Sequence, residues 1–150
     1  MSTYDPERDE SAGRSLVVRC FLLWPAAVAS PFLGPAMHLI ERTTRVIERR
    51  TAVLDDFETF SQLVGEIYRH QPMMQIDANA SRWAISKARR CYVQDTPVGL
   101  ISFKTESDDA ALQVKRVARK IFCLETDSLH GADSAADYDH IVLAFREFEA

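Results

Sequence analysis

CYVQDTPVGLISFK, residues 91–104, reads as two runs of strand character on either side of Asp95-Thr96-Pro97, with Gly99 inside the second. Asp and Pro between β-prone runs favour a turn, because Pro presets φ and Asp bonds to its own backbone. The expectation is an antiparallel hairpin. On that basis the chain is α+β, a mainly antiparallel sheet packed by helices.

Upstream, Asp55 with Glu58 three residues on has the pattern of a helix start, where side chains satisfy free amides. Phe57, Phe60, Leu63, Val64, Ile67 and Tyr68 follow at helical spacing, so one stripe of this helix is buried. The helix ends near His70, before Pro72. A second helix is expected from about Asp77 to Lys87, with Trp83 and Ala84 inward. Between Glu41 and Leu54 the positions of Val46, Ile47, Val53 and Leu54 satisfy a strand or a short helix.

Downstream, SDDAALQVKRVARKIFCLE, residues 107–125, has two readings. Ala111, Val114, Ala118, Ile121 and Phe122 recur at helical intervals, with Asp108 or Asp109 as cap, which favours one continuous helix. The other reading is a short strand from Ala110 to Val114, a bend at Lys115-Arg116, and a helix from Val117. HIVLAFREF is expected as a closing strand from His140 to Phe148, because Ile141, Leu143 and Phe145 alternate with their neighbours.

Residues 1–13 are polar and carry Asp5, Glu7, Asp9 and Glu10, the composition of a disordered start. The apolar stretch after them holds Arg19, Pro25, Pro31 and Pro35, so it falls short of the ~20 apolar residues of a spanning helix. No stable membrane span is expected. Leu16 to Ala26 followed by Ala27-Val28-Ala29 is similar to an export signal, although its acidic leader departs from the positive start of such signals. A natural start at Met37 is a further reading. The boundary is placed there, with residues 1–36 as an N-terminal extension and 37–150 as a single α+β domain.

A net charge of −4, from 22 acidic and 18 basic side chains, gives no global field for nucleic acid. Basic clusters at Arg42, Arg45, Arg49 and Arg50 and at Arg82, Lys87, Arg89 and Arg90 read as solvated faces. Cys20, Cys91 and Cys123 are odd in number and far apart, which fits reduced thiols in the cytoplasm rather than a disulfide framework.

From about Arg45 to Phe148, the order strand, capped helix, helix, hairpin, strand, helix, strand resembles the GNAT N-acetyltransferase superfamily, C-terminally shortened. RRTAVLDDFETFSQLVGEIY resembles its opening strand and helix, and CYVQDTPVGLISF its hairpin. The resemblance implies transfer of an acyl group from acetyl-CoA or another acyl-CoA to a small amine or a protein amine. It also implies a pyrophosphate-binding loop at Gln113, Lys115, Arg116, Val117 and Ala118, where Arg116 stands in place of the first glycine. Backbone amides at a helix start suit such an anion. Amine attack on a thioester needs a base, for which Glu66, His70 and His140 are the candidates.

The rival reading is a noncatalytic interaction module, a regulator, chaperone or inhibitor with a protein partner. An anion loop at Gln113 to Ala118 supports the enzyme and an unbroken helix the module. His130-Gly131-Ala132-Asp133 with Asp137, Asp139 and His140 fits neither a zinc motif nor a calcium loop and reads as a solvated loop.

Overall fold

The structure, a computed structural model, describes residues 15–69 and 80–149. In chain order it contains β1 (Val17–Leu23), α1 (Pro25–Val28), α2 (Leu33–Thr43), β2 (Arg45–Ala52), α3 (Phe57–Tyr68) and α4 (Ala80–Cys91). Then come β3 (Val98–Thr105), α5 (Asp108–Phe122), a 3-10 turn at Glu125–Asp127, β4 (Leu129–Gly131) and α6 (Ala135–Glu149). The strands form one sheet in the order β2-β3-β1-β4, each neighbouring pair antiparallel. The α+β class with an antiparallel sheet packed by helices is therefore as expected.

β1 and β3 fill the middle of the sheet. Cys20, Leu22, Trp24, Val98 and Leu100 join a core with α3, α4 and α6, while Phe21, Leu23, Ile101 and Phe103 join one with α2 and α5. Because both faces are covered, the two strands read as nearly unbroken apolar runs instead of alternating ones.

That covering corrects the boundary at Met37. Seven consecutive residues of β1 pair with β3, from Val17 opposite Thr105 to Leu23 opposite Gly99, so the supposed extension supplies an interior strand. An apolar run without alternation resembles an export signal for the same physical reason that it makes a central strand. The prolines sit where helices tolerate them, Pro25 at the start of α1 and Pro35 in the first turn of α2. Residues 1–14 lie outside the described residues.

The hairpin does not form. α4 continues through Cys91, the residues after it make a loop in which Asp95 takes a left-handed φ of 60°, and only VGLISFKT is a strand. Aspartate is among the residues that tolerate that conformation. The partners of β3 are β1 and β2, distant in sequence. Glu41 to Leu54 resolves into the end of α2 and β2.

The closing strand is likewise a helix. In α6 the buried side chains are Ile141, Ala144 and Phe145, while Leu143 is 61% exposed, so the period is helical and the apparent alternation is coincidental. α5 is one continuous helix: the Ser107 hydroxyl accepts from Ala110 N at 3.0 Å at its start, and Cys123 closes it with a φ of 59°. The cap of α3 is Asp56, one residue later than expected, accepting from Thr59 N at 2.7 Å. Phe60, Val64 and Ile67 are buried as their stripe requires. Among the described residues no helix is long and apolar enough to cross a membrane.

Candidate functional site

β4 has only three residues and lies at the edge of the sheet, with Leu23 opposite Leu129, Leu22 opposite His130 and Phe21 opposite Gly131. Strand alternation sends Leu129 into the core beneath α2 and α5 and puts His130 on the other face with Leu22. There the imidazole meets the ring of Tyr68 edge-on, centroids 4.8 Å apart. His130 retains partial exposure. Burial of the ring, aided by Lys115, Arg119 and Lys87 against an opposing Asp133, pushes its pKa down to about 4. The imidazole is thus neutral throughout the physiological range, with a nitrogen lone pair free for chemistry.

Gly131 lets a cation pass beside this strand. A Cβ there would lie 2.7 Å from Lys115 Cδ and 3.3 Å from the Phe21 ring. Lys115, on α5, runs through that gap to Asp133, Nζ to Oδ1 3.0 Å. Arg119, one turn further along α5, donates from Nε and Nη2 to the carbonyl of Leu129 at 3.2 and 2.9 Å.

The turn before β4 is held from the other side. Lys87 of α4 donates to the carbonyl of Thr126 and to Asp127 Oδ1, the latter at 2.9 Å. Arg90 Nε lies 3.0 Å from Asp127 Oδ2. Burial pushes the Asp127 carboxyl up, but these two cations hold it below the usual carboxylate range. Burial raises the pKa of Tyr68 and pushes the Cys20 and Cys91 thiols up to about 12, so neither thiol is a nucleophile at neutral pH. The indole N–H of fully buried Trp24 has no hydrogen-bond partner among the described residues.

Of the expected base candidates, Glu66 and His140 do meet, His140 Nε2 lying 2.8 Å from the backbone carbonyl of Glu66. The Glu66 carboxylate turns instead to Arg69, 3.2 Å away. His70 lies outside the described residues. Gln113, Lys115, Arg116, Val117 and Ala118 form the middle of α5, with Lys115 and Ala118 buried. Their amides are spent within a helix, so the anion loop expected there is not formed. Asp133 precedes α6 while Asp137, Asp139 and His140 lie in its first two turns, and no metal-binding group of three or more side chains occurs among the described residues.

The sequence reading passed over His130 as loop, and Lys87 as part of a solvated basic face. A usable signal existed for Lys87: Ala84, Ala88 and Cys91 make the buried stripe of α4, and Lys87 lies on it. His130 follows an apolar residue and precedes a glycine on a run too short to register as a strand.

No family model matches the chain, and no curated protein matches it in sequence. Its fold, however, is similar to that of nucleoside diphosphate kinases. The Aquifex aeolicus enzyme is 13% identical with a TM-score of 0.54, over 87% of this chain and 95% of the other. The Borrelia burgdorferi enzyme, holding vanadate and ADP, is 11% identical with a TM-score of 0.56 over 87% and 86%. The Halobacterium salinarum enzyme, in complex with CDP, is 16% identical with a TM-score of 0.56 over 87% and 88%.

This corrects the GNAT resemblance and, with it, acyl transfer and acyl-CoA. The fold likeness is to kinases with nucleotide ligands. The hairpin and loop that carried the acyltransferase reading are the end of a helix and the middle of another. The unbroken α5 removes the CoA loop, the outcome set against the acyltransferase, but the fold likeness gives the interaction module no better support.

Proposed function

We propose that the chain transfers phosphoryl groups between nucleotides, with His130 as the group that carries the phosphate. The observation behind this reading is a partly exposed, neutral imidazole in the field of three cations, Lys115, Arg119 and Lys87. A histidine nucleophile must be unprotonated to attack. Its free nitrogen attacks the terminal phosphorus of a nucleoside triphosphate. The N–P bond forms as the bond to the bridging oxygen breaks, and a nucleoside diphosphate leaves. A second nucleoside diphosphate then takes the phosphoryl group and restores the imidazole.

Phosphoryl transfer asks a protein chiefly for positioning and positive charge. Lys115 is suited to supply charge, because its counter-ion Asp133 is 65% exposed and such a pair yields readily to a competing phosphate. The fold likeness to kinases holding ADP with vanadate, and CDP, supports the same substrate class. A cytoplasmic setting belongs to this proposal, in keeping with three free cysteines.

The test is incubation of the chain with a magnesium nucleoside triphosphate labelled in its terminal phosphate. Acid-labile, base-stable label on His130, discharged by a nucleoside diphosphate and absent from His130→Gln, is the expected result. Unlabelled protein, or equal labelling of the folded variant, overturns the proposal.

A further inference from the structure

We propose that Lys87 is a positioning residue for His130, one ammonium that fixes both the turn leading into β4 and the aromatic ring packed on the imidazole. Its side chain is buried, 1% exposed for the residue, on a stripe otherwise made of Ala84, Ala88 and Cys91. Nζ bonds to the Thr126 carbonyl and Asp127, three residues before His130, and stands 5.9 Å from the centroid of the Tyr68 ring. That ring is the one His130 meets edge-on. A buried ion pair is poor evidence for stability, since apolar groups of similar volume serve as well or better. What the ammonium adds is geometry: two supports of one imidazole are joined through a single atom.

The other charged or titratable groups facing His130 are Lys115 and Arg119 from α5, Asp133 before α6, and Tyr68 from α3. Lys115 and Arg119 reach β4 from the α5 side, Lys115 to Asp133 and Arg119 to the Leu129 carbonyl. The kinetic consequence rests on the phosphotransfer reading, but the positioning has its own readout.

In the full chain, Lys87→Met should retain cooperative unfolding while the His130 ring signals in NMR shift and their titration midpoint rises, because one cation has gone. Phosphorylation of His130 should slow about a hundredfold at saturating nucleotide, as misplacement by about an ångström does. The half-saturating nucleotide concentration should change less than about threefold, since ground-state binding is untouched. Wild-type ring signals in folded Lys87→Met, or a wild-type rate, overturn the proposal. If the native chain takes no phosphate, the phosphotransfer reading alone fails and the ring spectrum still decides the positioning role. Should Lys87→Met not fold, Asp127→Asn, which weakens the same link, must move the His130 signals, and unmoved signals again overturn it.

Discussion

At the scale of single residues, His130 makes stability depend on pH in a definite direction. Its folded pKa of about 4 lies below the ordinary value of 6.5, so on acidification the unfolded chain takes up the proton first. The stabilisation is fully present above pH 6.5 and is lost as pH falls toward 4, by up to about 3 kcal/mol for a shift of this size. Denaturant titrations of the native chain and of His130→Gln across that window should diverge, the variant showing the flatter curve. Parallel curves would mean that the imidazole titrates normally. Gly131 offers a second test. Gly131→Ala places a methyl against Lys115 and Phe21 and displaces the lysine from Asp133, with an expected loss of about 1–3 kcal/mol. Unchanged stability would show that the lysine stem moves aside freely.

At the scale of elements, what was legible in the sequence is what a surface element displays. α3 has one wet face and a cap, so its stripe could be read, and Phe60→Ala should cost about 3–5 kcal/mol in chemical denaturation. A value near zero would contradict the burial of that side chain. β1 was not legible as a strand, because burial on both faces erases the alternation by which strands are recognised. α6 was misread because Leu143, though exposed, continued an accidental alternation. The site escaped for a different reason. Lys87 stands about forty residues before Asp127 and His130, so only the fold brings them together, and the one local signal was the place of Lys87 on the buried stripe of α4. Ser107 is a case of correct local chemistry at a neighbouring position: Ser107→Ala should remove about 1 kcal/mol by freeing the Ala110 amide, measured as a lowered denaturation midpoint.

At the scale of the whole molecule, the four strands are unequal partners. A chain beginning at Met37 lacks β1, and therefore β4 loses its one neighbour while β3 loses one of two. It should fail to unfold cooperatively, and a sharp transition in that fragment would refute the placement of β1. Amides of β4 should exchange with solvent before those of β1 and β3, since three paired positions hold β4 and seven join the central strands. Equal protection throughout the sheet would argue against that order. The histidine rides on the rim of the sheet, on its shortest strand. The phosphate uptake proposed for His130 should therefore have a melting point of its own: on slow warming it is lost while circular dichroism still reports the helices and central strands, and it returns on cooling without the molecule ever having unfolded.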